Sequence, residues 1–222
     1  MALSRRSLLK RIGAAGSAAI VPMHPVDATP APAEAAQAPA VPPVQREALE
    51  TLTAAEADVL EAITGRLIPA DANGPGAREA RAAHYIDRAL GGPLSTSRAA
   101  YASGLAALDA YAQATKGAPF AKLASADQDA VLTDVQNNAA TGFTPSAAAF
   151  FTLVRAHTIE GTFSDPYYGG NANFAGWDLI GYPGVRLSAT AAEQQMNVRI
   201  PSNHRSAYDF PMFAKGGAPD AH

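Results

Sequence analysis

Between Leu49 and Gly161 apolar residues recur every three or four positions, the period of helices that bury one face. The first repeat holds Val59, Leu60, Ile63 and Leu67. It opens on Thr53-Ala-Ala-Glu56, a capping-box pattern in which hydroxyl and carboxylate satisfy free amides at a helix start, and it closes at Pro69. Asp71-Ala-Asn73-Gly74-Pro75-Gly76 reads as a turn-rich loop. A second helix is expected over about Ala77–Leu90, stopping at Gly91-Gly92. A third starts at Ser95 or Thr96, aligns Tyr101, Leu105, Leu108 and Ala112, and ends at Gly117. Ser125-Ala-Asp127-Gln128 caps a fourth, which buries Val131, Leu132 and Val135 and ends before Gly142. Thr144-Pro145 opens a fifth with Pro in its first turn, and Phe150, Phe151, Val154, His157 and Thr158 form its apolar face up to Gly161. No stretch sustains period-two alternation, so the expected fold is all-α, a small bundle of about five helices.

The pattern breaks at both ends of this region. Residues 1–28 carry Arg5, Arg6, Lys10 and Arg11 followed by a short apolar stretch, Ile12 to Val21, the n-region and h-region of an export signal. The run is about ten residues, whereas a bilayer span needs ~20. Ser4-Arg5-Arg6 with Leu8-Leu9-Lys10 resembles the twin-arginine class. Cleavage is expected after Ala28, with Ala31-Pro32-Ala33 as a second small-residue site, and the expected destination is the periplasm. Residues 29–48 are a Pro/Ala-rich linker. The helical domain spans 49–187, and 188–222 form a C-terminal tail mixing polar residues with isolated apolar ones such as Met196, Val198, Tyr208 and Phe213. That tail is either disordered or an arm that folds on a partner.

Charge and composition narrow the chemistry. The whole chain carries a net charge of −3, and losing the basic signal makes it more acidic, the wrong sign for nucleic acid or an anionic membrane surface. With no cysteine it offers no disulfide, no c-type haem attachment and no cysteine-ligated iron–sulfur cluster. Gly74-Pro75-Gly76 is the nearest approach to a dinucleotide fingerprint, and Arg78-Glu79-Ala80 stands where its third glycine would be. Gly169-Gly170-Asn171 lacks the Lys-Ser/Thr of a phosphate loop. No cofactor or metal is therefore expected on this chain, and no catalytic residue.

The segment from Gly161 to Gly184 is different material. Its 24 residues hold six of the 18 glycines, six of the 16 aromatics and the only Trp. Glycines permit close backbone approach and rings supply contact area at low entropic cost, so a long ordered loop is expected. Its rings either cap the bundle or face a partner.

Leu67-Ile68-Pro69-Ala70-Asp71, Gly74-Pro75-Gly76-Ala77-Arg78-Glu79-Ala80 and Tyr85-Ile86-Asp87 form one motif. Phe163-Ser164-Asp165-Pro166-x-Tyr168-Gly169-Gly170-Asn171 with Gly176-Trp177-x-Leu179-Ile180-Gly181-Tyr182-Pro183-Gly184 forms a second, longer one. Together, over roughly Leu52–Gly184, they resemble the small (gamma) subunit family of gluconate 2-dehydrogenase. The resemblance implies a non-catalytic subunit of a membrane-associated, periplasm-facing dehydrogenase of sugars, sugar acids or polyols. Its implied partners are an FAD-bearing large subunit of the glucose–methanol–choline type, a cytochrome c subunit carrying haem c, and the twin-arginine export machinery. The small subunit is then a chaperone-like companion that stabilises the flavoprotein and exports it. The contact residues expected on the second motif are Phe163, Asp165, Tyr168, Gly169, Gly170, Asn171, Trp177 and Tyr182, with Arg5 and Arg6 as the export signal.

His157 and Glu160 stand one helical turn apart but lack the His-Glu-x-x-His arrangement, so His157 reads as a satisfied helix histidine, and His84 likewise. Asp165 and Asp178 could act as acid and base, but Asp165 before Pro166 is more simply a turn-forming residue. A self-sufficient exported enzyme or metal-binding protein, and a free-standing periplasmic binding module, are the alternatives.

Overall fold

Thr53 does what its sequence requires. Its hydroxyl accepts from the Glu56 amide at 3.3 Å while the Glu56 carboxylate accepts the Thr53 amide at 2.8 Å, and helix α1, Ala54–Leu67, begins there. In the computed structural model, which describes residues 48–213, five further helices follow: α2 Ala82–Leu90, α3 Arg98–Lys116, α4 Ser125–Gln136, α5 Ala147–Phe163 and α6 Ala175–Ile180. Among the described residues there is no strand, only an isolated bridge between Asp71 and Gly74, so the fold is the all-α bundle expected. The signal assigned to residues 1–28, with Arg5 and Arg6, and nearly all of the linker lie outside the described residues. No described helix is long and apolar enough to cross a membrane.

The core forms where α1, α2, α3, α4 and α5 face one another. Leu60, Ile86, Tyr101, Leu108, Phe120 and Val131 lose all contact with water there, and Ile63, Val135 and Val154 nearly all. Burying one such aliphatic side chain is worth ~2 kcal/mol, so the apolar stripe of each helix drives the assembly.

Several helix boundaries differ from expectation. The second helix begins at Ala82 because the backbone from Gly76 to Arg81 has other work. Gly76 lies so close to the backbone of Ile68–Ala70 that no Cβ fits, and the carbonyl of Ala80 accepts the amide of Ala172 at 3.1 Å. Arg81 then takes a left-handed conformation, φ 59°, immediately before α2. The fourth helix has Ala124 as its N-cap, with no side-chain cap. The fifth begins at Ala147, capped by Ser146, whose hydroxyl accepts the Ala149 amide at 3.2 Å, and Pro145 lies ahead of it in a cis peptide with Thr144. It also runs through Gly161 to Phe163, because Gly161 admits α2: a Cβ there would sit 2.9 Å from Ala82 Cα.

Asp87, the last residue of the first motif, lies on α2. Fully buried, its carboxylate accepts the amides of Glu50 at 2.7 Å, Thr51 at 3.0 Å and Leu52 at 2.7 Å, which ties the chain entering α1 to α2.

Candidate functional site

The glycine- and aromatic-rich segment is ordered from within. After α5 the chain makes a 3-10 turn at Pro166–Tyr168 and another at Ala172–Phe174, then the short helix α6. Asn171 joins them. Its amide donates to Gly161 O at 2.8 Å, its side-chain nitrogen to Ser164 O at 2.8 Å, and its side-chain oxygen accepts the amides of Gly176 at 2.8 Å and Trp177 at 3.3 Å. Asparagine supplies donor and acceptor together and tolerates the left-handed φ of 44° found there. Gly170 and Gly176 lie against the carbonyls of Gly161 and Thr162 too closely for any side chain.

Trp177 is 5% exposed and donates its indole N–H to Phe163 O at 2.9 Å. Phe174 and Tyr182 pack against its ring, at centroid distances of 5.5 and 4.7 Å. Of the expected contact residues, then, Gly170, Asn171 and Trp177 are buried within this chain and build the loop, and half-buried Phe163 accepts from the Trp177 indole. Gly169, at φ 93°, lies beside Arg88. Tyr168 and Tyr182 face outward, 48% and 40% exposed, with Tyr167 at 55%.

Asp165 is a turn residue and more. One oxygen accepts the Tyr167 amide at 3.0 Å and the Ser206 hydroxyl at 2.6 Å, and the other accepts the Ala207 amide at 2.9 Å. The stretch beyond Val185 thus returns to the loop of its own chain. Tyr208 stacks on Tyr167 at 3.6 Å and shares a hydrogen bond with the Tyr168 hydroxyl at 2.7 Å, which first among several causes pushes the Tyr208 phenol up to about 12. His204 pairs with Asp178 at 2.8 Å and stacks on Phe174. Asp165 and Asp178 are therefore engaged separately, each holding this arm. The pattern Ser206-x-x-Asp209, a capping box, was the sequence signal for order here.

Beside the loop an open groove of about 690 Å³ runs between α2 and the end of α5. Tyr85, Phe163, Tyr167 and Tyr168 line it together with Ile159, and its charges are Glu50, Arg88 and Glu160. Glu50 and Arg88 pair at 3.3 Å. Tyr85 donates to Glu160 at 3.2 Å, and burial together with that carboxylate pushes its phenol up to about 12.

His157 lies apart from the groove lining, in the core. It is buried, stacked on Tyr101, and shares a hydrogen bond with the Tyr101 hydroxyl at 3.1 Å. Burial lowers its pKa, against the opposing pull of Glu160. His84 sits beside Gly169 on the loop side of α2. Among the described residues no group of three or more His, Asp or Glu could hold a metal ion.

The model of the family described as gluconate 2-dehydrogenase subunit 3 matches residues 54–184, from the start of α1 to the end of the aromatic loop. No curated protein and no solved structure matches the chain.

Proposed function

The chain belongs to the gluconate 2-dehydrogenase subunit 3 family, and from that membership we propose that it is the non-catalytic small subunit of a periplasm-facing, FAD-dependent dehydrogenase complex. Its work is to bind and stabilise the flavoprotein large subunit and to carry it out of the cytoplasm by the twin-arginine route, with a cytochrome c subunit completing the assembly. FAD and haem c belong to those partners.

The observation that carries this reading is the construction of the loop. Buried Asn171 and Trp177 hold a rigid frame, and the frame presents Tyr167, Tyr168, Ile180 and Tyr182 to solvent. Large apolar side chains held out of the core on a rigid support are what protein interfaces use as anchors. Arg5 and Arg6 supply the address.

Export is the direct test. With both arginines changed to lysine, the co-expressed flavoprotein and its dehydrogenase activity should remain in the cytoplasm. Normal arrival of activity in the periplasm would reject co-export.

A further inference from the structure

We propose that Tyr167 and Tyr208 form a site of oxidative cross-linking, at which one-electron oxidation joins the two rings by a carbon–carbon bond and fastens the C-terminal arm to the loop. Three tyrosines from two distant parts of the chain meet here. Tyr208 stacks on Tyr167 with ring centroids 3.6 Å apart and planes 17° from parallel. That is closer than the ~4.5–7 Å usual for aromatic pairs. Tyr168 stands edge-on to both, 5.3 Å from Tyr167 and 5.9 Å from Tyr208, so only the first pair brings its ring carbons face to face.

The backbone beside the rings imposes this stack. Asp165 and Ser206 each stand two residues before a ring, and the Asp165 carboxylate accepts the Ser206 hydroxyl at 2.6 Å and the Ala207 amide at 2.9 Å. At the far end of the Tyr208 ring, its hydroxyl shares a hydrogen bond with that of Tyr168 at 2.7 Å. Reacting groups held in register in this way meet without the entropic cost of a chance encounter. Tyr167 is exposed and Tyr208 half-buried, so an oxidant in solution reaches the pair.

Hydrogen peroxide, acting through a haem peroxidase, supplies the oxidant. One electron and one proton leave each phenol, and the two phenoxyl radicals couple between ring carbons adjacent to their oxygens. The hydrogens at those carbons then move to the oxygens and restore both phenols. The protein loses two hydrogen atoms in all, and one hydrogen peroxide becomes two waters. With no cysteine in the chain, no disulfide can hold the arm. Its fastenings to the loop are hydrogen bonds, ring contacts and the half-exposed His204–Asp178 pair, which local opening can break. A covalent bridge between residues so far apart in sequence removes those open states.

The full chain, treated with a haem peroxidase and limiting hydrogen peroxide, should develop dityrosine fluorescence while it still runs as a monomer on a denaturing gel. Peptide mapping should find the tryptic peptide of Tyr208 joined to that of Tyr167, with fragmentation placing the bond on those two rings. Tyr167→Phe and Tyr208→Phe keep a ring in the stack but lack the phenol, and each should abolish the bond. Tyr182→Phe should leave its yield unchanged, and Asp165→Ala, which frees the arm, should lower it several-fold. Once joined, residues 203–210 should exchange their amide hydrogens about tenfold more slowly than in untreated chain. Cross-links only between copies, or spread over tyrosines according to exposure, would overturn the proposal. So would a bond that forms equally well in Asp165→Ala, and unchanged exchange would reject it as a fastening of the arm.

Discussion

Asp87 is the residue whose environment leaves least freedom. Three backbone N–H groups converge on one buried carboxylate, and no other described acceptor takes the amides of Glu50, Thr51 and Leu52. Asp87→Ala would leave three donors without an acceptor and should cost ~3 kcal/mol or more, since each orphan carries a desolvation penalty of ~1–3 kcal/mol offset in part by water entry. Asp87→Asn keeps one oxygen for Thr51 and Leu52 but turns an N–H₂ toward Glu50, so it should fall between wild type and Ala. Urea unfolding, with midpoints shifted and slopes unchanged, checks the order. His157 gives a prediction of pH dependence. Burial lowers its pKa in the folded chain, so below the ordinary histidine value of ~6.5 the unfolded state binds the extra proton more readily and stability falls. The contribution is therefore complete above that value and lost as pH descends through the folded pKa. His157→Leu should flatten the slope of unfolding free energy between neutral pH and ~5.5, and an unchanged slope would exclude His157 as its source.

Among the elements, the loop and the returning arm are held by different means, and two variants should separate them. Trp177→Ala removes a buried ring and its bond to Phe163 O, and a cost of ~3–5 kcal/mol to the whole domain is expected. Asp165→Ala instead releases the Ser206 hydroxyl and the Ala207 amide, on the one side of the arm contact where a carboxylate holds both. Cleavage by trypsin after Arg199 and Arg205 should then quicken by an order of magnitude while thermal unfolding of the bundle shifts little, because local opening samples only the arm. The same contrast explains what could be read from sequence. Helix α1 was legible to its first residue, since a capping box is complete within four positions. The start of α2 was not, because Gly76 meets the Ile68–Ala70 backbone and Ala80 meets Ala172, neither of which a local pattern reports. Gly161 looked like a stop and is instead where α5 touches Ala82. The loop's order was visible in its rings and glycines, but the assignment of Asn171 and Trp177 to the inside depends on where α5 ends. The arm was opaque because Tyr208 finds Tyr167 and Tyr168 some forty residues upstream.

For the molecule as a whole, an asymmetry decides where a partner would sit. The interior of the bundle is closed, with Leu60, Tyr101, Leu108 and Phe120 sealed from solvent. The loop and arm, by contrast, keep Tyr167, Ile180, Leu187, Met196 and Met212 more than half exposed. Apolar atoms make up over half of any protein surface, so scattered exposure by itself means little. In the loop it falls on a segment already fixed by the buried hydrogen bonds of Asn171, where covering a side chain costs little additional ordering entropy. A partner that docks on this side should slow amide hydrogen exchange at residues 166–182 and along the arm by tenfold or more. Exchange in α3 and α4 should change only through the general stabilisation that any bound ligand confers. Comparing the free subunit with the purified complex by mass spectrometry distinguishes the outcomes. Selective protection of 166–182 supports docking on the loop. Protection concentrated on α3 and α4 would move the interface to the opposite elements and reduce the aromatic loop to a cap on its own bundle.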